Sequence, residues 1–290
     1  MTRPCPGPDL NTRPPRIKPP PKSCDTQAHI FGPSSQFPYA AGRGYTPPDC
    51  PVEFYLRMLD TLGMDRGVIV HGSAHGSDNR ATLDGLARYP DRLRGVAVME
   101  PDAPESELEM LAAGGICGTR MSTMLKGAIS TDHLETFAER VKKFGWHIVI
   151  HVDKAEEIVE LEPRLRRLDV DFLIDHLGRV RGGQGVDNPG FQYLLNLLRD
   201  TDRCWVKISS WYRLSDLGPP YDDMTPIAEA LIAARPDRVV WGSNWPHPIW
   251  WDGVMPNDGV LFDQFMGWAG DDATRQQIIV DNPATLYGFS

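Results

Sequence analysis

Cysteine is sparse and unpatterned in this sequence: five residues in a chain of 290, an odd number, with no two spaced C-x-x-C. That spacing excludes a disulfide framework and a zinc knuckle, and leaves free thiols in a reducing cytosol as the expectation. No apolar run approaches the length of a membrane span. The first residues lack the apolar core of a secretory signal. Basic residues are outnumbered, 30 against 39, for a net charge of −9. A phosphate backbone would be repelled, which removes nucleic acid as a partner. A cytoplasmic enzyme with neither membrane nor nucleic-acid partner is the class that remains. Residues 1–23 are poor in large apolar side chains and crowded with proline. They can form neither helix nor central strand. They are expected to form an extended arm, mobile or draped over the body, that could also reach a neighbour in a homo-oligomer.

What is present from Cys24 onward is regular alternation. Short β-branched runs, "CDTQAHIF", "RGVIVHGS", "LRGVAVM", "ICGTRMS", "WHIVIHV", "DFLIDHLG", "CWVKISSW" and "VVWGSNWP", are separated by stretches of helical period such as "VEFYLRMLDTLG" and "DHLETFAERVKKFG". The runs are apolar nearly throughout, as strands buried on both faces are. Crossovers of this length give parallel neighbours. Eight such units predict a (β/α)8 TIM barrel over residues 24–290, with the arm in front of it. An open doubly wound sheet is the alternative, but "HIFGPSSQF" after the first strand is not a glycine-rich phosphate turn.

In such a barrel the site is built at the C-terminal ends of the strands. The first strand offers Gln27 and His29, with Asp25 at its start. The second offers His71, Ser73 and His75. The fourth ends in Arg120 and Ser122, with Lys126 beyond. The fifth ends in His151, the sixth in Asp175 and His176, the seventh in Ser209, Ser210 and Tyr212 followed by Arg213, and the eighth in Asn244. A single buried histidine is often a hydrogen-bonded core residue, whereas several on separate strands facing one mouth point to chemistry. His71, His133 and His147 are read as structural or surface residues. Arg120 closes an apolar strand, where a guanidinium needs an anionic partner.

"CDTQAHIFGP", "HGSDN", "GTRMS", "IDHLGR" and "WGSNWPHP", in this order, resemble the amidohydrolase superfamily, closest to the branch of 2-pyrone-4,6-dicarboxylate lactonases and galactarolactone isomerases. The resemblance runs from about Cys24 to the C-terminus and implies a distorted (β/α)8 barrel. Metal-using members of that superfamily place His-x-His on strand one and aspartate on strand eight. Gln27 and Asn244 stand at those positions here, and an amide is a poor metal ligand beside imidazole or carboxylate. The resemblance therefore implies a site without metal or other cofactor.

It also implies the reaction. Lactonases of this branch use the strand-eight carboxylate to activate water, and Asn244 cannot accept a proton at neutral pH. The isomerases carry Gln and Asn at the same two positions, and there a substrate hydroxyl attacks the lactone carbonyl. The expected activity is isomerisation of a carboxylate-bearing, aldaro-type lactone in carbohydrate-acid metabolism. Hydrolysis of such a lactone and a silent binding protein are the alternatives. His29, His176 and Asn244 are the expected catalytic residues. Gln27, Ser73, Arg120, Ser122, Lys126, His151 and Arg213 are the expected contacts for a small anionic lactone. The pyrone enzymes carry tyrosine in place of His151, which argues against the planar pyrone as substrate.

Overall fold

Eight short strands supply the frame: β1 (Cys24–Ala28), β2 (Arg66–Val70), β3 (Leu93–Ala97), β4 (Ile116–Ser122), β5 (His147–His151), β6 (Phe172–Ile174), β7 (Cys204–Ile208) and β8 (Val239–Trp241). They come from a computed structural model that describes residues 2–125 and 129–290. Each strand pairs in parallel with the next in chain order. Every strand residue but Arg94 and Cys117 is buried, the pattern of strands covered on both faces. Helices α1 (Val52–Leu62), α2 (Arg80–Arg88), α3 (Glu105–Ala113), α4 (Leu134–Lys142), α5 (Glu157–Leu165), α6 (Pro189–Asp200), α7 (Thr225–Ala234) and α8 (Asp258–Trp268) follow the strands. The arrangement is the predicted (β/α)8 barrel.

The seam between β8 and β1 is closed differently from the other pairs. Past the end of β8, Trp245 bridges Ala28, and His29 N–H donates to the Trp245 carbonyl at 2.7 Å. Asp25, fully buried, accepts from Ser243 Oγ at 2.6 Å, Ser243 N–H at 2.9 Å and Gln27 N–H at 3.0 Å. Burial still raises its pKa to about 6. Gly242 permits this approach: a Cβ there would lie 2.3 Å from Gln27 Cβ. Below the strands, Val68, Val70, Val96, Val149, Leu173 and Val240 pack with Leu286, Tyr287 and Phe289 of the C-terminal segment.

Two stretches depart from the sequence reading. The stretch "DGVLFDQFMGW" forms α8 although it was not among the predicted helices. It buries Leu261, Phe262, Phe265, Met266 and Trp268 and carries two glycines, so it shows no clean polar face. The tail, read as one closing helix, divides into α9 (Asp272–Gln276), a π-helical turn (Gln277–Asp281) and α10 (Asn282–Tyr287). Strands β6 and β8 also stop early, which leaves Asp175, His176 and Asn244 in the turns beyond them.

The arm is draped over the body. Cys5 N–H donates to the Thr46 carbonyl at 2.8 Å in the β1–α1 loop, and Cys5 Sγ accepts from Ile249 N–H at 3.3 Å in the loop after β8. Further along, Arg13 N–H donates to Asn257 Oδ1 at 3.0 Å and Arg16 N–H to Asp263 Oδ1 at 2.6 Å. Among the described residues all five cysteines are free, and no helix is long and apolar enough to cross a membrane.

Candidate active site

The strand-end turns fold back over the barrel mouth in a left-handed conformation. His176, Leu177 and Arg179 have φ of 50°, 53° and 59°, Ser210 has 58°, and Asn244 and His247 have 64° and 58°. L-residues adopt this region seldom, and clusters of such positions gather at functional sites. Here they surround a pocket lined by His29, Tyr45, Ser73, Arg120, Met124, Leu125, His151, His176, Arg179, Arg213, Asn244, Pro248 and Ile249. A wider groove between the arm and α8, lined by Arg13, Tyr221 and Pro256 among others, lies away from these turns.

Three imidazoles meet in the pocket, and their backing fixes two of them. His29 Nδ1 lies 2.8 Å from the Val70 carbonyl, which can only accept, so Nδ1 carries the proton and Nε2 is left with its lone pair. Ser122 Oγ accepts N–H bonds from Met124 and Leu125, both at 3.1 Å, so its own proton goes to His151 Nδ1 at 3.1 Å. His151 is thereby left as the Nε2–H tautomer. One ring offers an acceptor and the other a donor. His176 Nδ1 shares a 2.6 Å bond with Ser209 Oγ, and its ring meets that of His151 edge-on at 5.1 Å. Burial first, and the Arg120 charge second, lower the pKa of all three, that of His29 to about 3.

Beneath the imidazoles lies a buried ionic cluster. Asp175 Oδ2 accepts from Arg120 Nε at 3.0 Å and Nη2 at 2.9 Å, and Asp175 Oδ1 is 3.2 Å from Lys207 Nζ. Lys207 is fully buried in mid-strand β7 and donates to Gln27 Oε1 at 2.6 Å. Burial alone would raise the Asp175 pKa. Lys207 and Arg120 outweigh it and hold the carboxyl below its usual range. These residues do not fit a metal ion. The strand-one amide is occupied by an ammonium, the lone pair of His151 Nδ1 is taken by Ser122, and a metal ion would add a third cation beside Lys207 and Arg120. Among the described residues no three His, Cys, Asp or Glu side chains gather as a ligand set.

Seven of the ten predicted site residues line the one pocket: His29, Ser73, Arg120, His151, His176, Arg213 and Asn244. Two stand behind it. Gln27 is fully buried and held by Lys207, so its expected substrate contact becomes a structural one. Ser122 orients His151 rather than facing the pocket. Lys126 lies outside the described residues. Arg120 was expected to bind a substrate carboxylate, yet its charge is already matched by Asp175. His71 is a core residue, 2.9 Å from the Gly76 carbonyl. His147 is buried with Tyr287 edge-on at 5.0 Å, and His133 is exposed. The sequence reading missed Tyr45, Arg179 and Lys207. A lysine inside an otherwise apolar strand was the available signal for Lys207. Tyr45, in a proline-bounded loop, had none.

With this geometry in place, comparison assigns the class. The family model described as Amidohydrolase matches residues 24–289, and the chain belongs to that family. It is 38% identical over 288 residues to the 4-sulfomuconolactone hydrolase of Hydrogenophaga intermedia, a match that covers 98% of this chain and 94% of that one. It is 31% identical over 269 residues to the D-galactarolactone isomerase of Agrobacterium fabrum, covering 92% and 91% of the two chains. The crystal structure of a probable 2-pyrone-4,6-dicarboxylic acid hydrolase from Acinetobacter baumannii, with citric acid bound, superposes with a TM-score of 0.80 at 29% identity, over 92% of this chain and 100% of that one.

Proposed function

We propose that this protein is an enzyme acting on a carboxylate-bearing lactone, and that it rearranges the ring by intramolecular acyl transfer without a metal. One observation carries the reading. Arg179 and Arg213 line the pocket, their side chains donate to the Asp153 and Pro248 carbonyls and the Tyr212 hydroxyl rather than to a carboxylate, and no Asp or Glu is among the pocket's lining residues. Two guanidiniums left unmatched beside neutral imidazoles call for an anionic ligand. The names of the relatives, each acting on a lactone, agree with this. The His151 Nε2–H can donate to the lactone carbonyl and take up charge as it forms. The His29 Nε2 lone pair can receive the proton of the attacking hydroxyl. Imidazoles with pKa values pushed this low are poor bases toward water. A hydroxyl tethered within the substrate needs less help, since intramolecular attack reaches effective molarities of roughly 10⁵ M or more. Hydrolysis is the second reading, favoured by the 38% identity to a named hydrolase.

The test is incubation with D-galactarolactone, 4-sulfomuconolactone and 2-pyrone-4,6-dicarboxylate, with and without chelator, followed by NMR. A rearranged lactone without acid release, unaffected by chelator, is expected. Ring-opened acid would move the assignment to hydrolysis. Loss of turnover on chelation would end the metal-free reading, and no turnover of any member would end the lactone reading.

Arg179→Ala and Arg213→Ala should each lower kcat/KM on a carboxylate-bearing lactone about ten- to a hundredfold, since a charge-assisted contact is worth roughly 1.5–3 kcal/mol. A matched neutral lactone should be nearly unaffected. Equal losses on both would make these arginines structural.

A further inference from the structure

Behind Asn244 lies a chain of buried polar groups that the proposed chemistry does not use. Asn244 Nδ2 is 3.0 Å from the Tyr212 hydroxyl, His247 Nδ1 is 2.9 Å from the same oxygen, and Arg213 Nε is 3.3 Å from it. His247 Nε2 in turn lies 3.2 Å from Asp258 Oδ1, an ion-pair approach without the angle of a linear hydrogen bond. Tyr212, His247 and Asp258 are 2%, 0% and 1% exposed. Asp258 opens α8, where the helix dipole favours a carboxylate.

Proton counting along this chain gives one arrangement of Asn244. Asp258 can only accept, so it draws a proton onto His247 Nε2. His247 Nδ1 then faces the Tyr212 oxygen, and one further proton lies between them. That proton sits on the phenol, as a neutral pair, or on the ring, as tyrosinate and imidazolium. In both cases the remaining Tyr212 lone pairs face Arg213 Nε and Asn244. Arg213 can only donate, and Asn244 completes the set by donating from its Nδ2. The amide is therefore held with its NH2 turned back to Tyr212.

We infer that Asp258, His247 and Tyr212 form a positioning relay that presents the carbonyl oxygen of Asn244, not its NH2, to the pocket. Asn244 thereby acts as the hydrogen-bond acceptor that aligns the attacking hydroxyl. The charges around the relay agree. Burial alone would raise the Tyr212 pKa, but Arg213 and His247 outweigh it and bring the phenol to about 8. Burial alone would lower His247, but Tyr212 and Asp258 lift it to about 9. Asp9 of the arm and Tyr221 are the other titratable groups that sense this pair.

The kinetic part of the test rests on the lactone reading, and the spectroscopic part does not. On whichever of the three lactones is turned over, Tyr212→Phe and Asp258→Asn should each lower kcat roughly ten- to a hundredfold with little change in KM. That is the scale on which outer hydrogen-bond partners of an active side chain act. Asp258→Asn leaves Arg213 untouched, so agreement between the two variants excludes an effect through that arginine. In an Asn244→Ala background neither change should cost anything further. Additive losses there would overturn the relay, because they would mean that Tyr212 or Asp258 acts by another route. Independently of any lactone, the Asn244 side-chain amide signals in nitrogen-15 spectra are identified as those missing from Asn244→Ala. They should move in both Tyr212→Phe and Asp258→Asn. Signals unmoved by both changes would overturn the relay whatever the kinetics.

Discussion

Lowering the pH from about 7 to about 5.5 should strip this protein of much of its stability. His29, His71, His147, His151 and His176 are all buried, and burial is the leading cause lowering the pKa of each from 6.5. His29 and His147 fall to about 3 and His71 to about 4. Below 6.5 the unfolded chain takes up protons that the folded chain refuses, so stability falls with pH until the folded values are reached. At pH 5.5 each group costs on the order of 1 kcal/mol. Asp25 and His247 have the opposite sign, because raised pKa values of about 6 and about 9 let the fold hold a proton more tightly than the unfolded chain in the same window. Together they offset about one group among the five. The net loss is on the order of 5 kcal/mol, comparable with the whole stability of an ordinary domain. Urea midpoints measured across the window check this, and a flat profile would refute it. His147→Leu, away from the pocket, should make the profile shallower by one proton.

Lys207→Met should lower the melting temperature by roughly 6–12 °C. Removing one partner of a buried ion pair costs about 3–5 kcal/mol, and the lower end applies because Asp175 keeps Arg120. Asp175 would then be a fully buried carboxylate with half its compensation, and Gln27 Oε1 would lose its donor. Asp175→Asn in the same chain should return part of the loss. A Lys207→Met protein within about 1 kcal/mol of the parent would show the ammonium to be dispensable. The same variant should blunt the acid sensitivity, since Lys207 contributes to the lowered pKa of His29, His147 and His176.

The barrel was legible because its signal is local and repeated: each strand run is apolar, and most helices carry a stripe. Helix α8 was not, since packing of Phe262 and Phe265 against Trp241 replaces amphipathic periodicity. Strand ends give away residues that project from them, which is why His29, His151 and Arg213 could be placed by counting. What counting cannot supply is the partner. Arg120 stands on β4, but whether it meets a ligand or Asp175 depends on a contact across 55 residues. Lys207 and Gln27 meet across 180. Tyr212, His247 and Asp258 stand apart in the sequence, and their contacts form where left-handed residues at Ser210, Asn244 and His247 turn the chain beside the start of α8.

The β1–β8 seam has a further consequence during synthesis. Asp25 and Ser243 lie 218 residues apart, and Cys5 and Ile249 lie 244 apart. At about 5–20 residues per second, a ribosome needs on the order of 10–50 s to deliver the second partner after the first. Throughout that interval β1 has one open edge, and the buried Asp25 carboxyl has no serine to meet it. An unpaired edge exposed this long is open to pairing with a neighbouring nascent chain. The arm, translated before the barrel, can take its full set of contacts only after the loop following β8 has emerged.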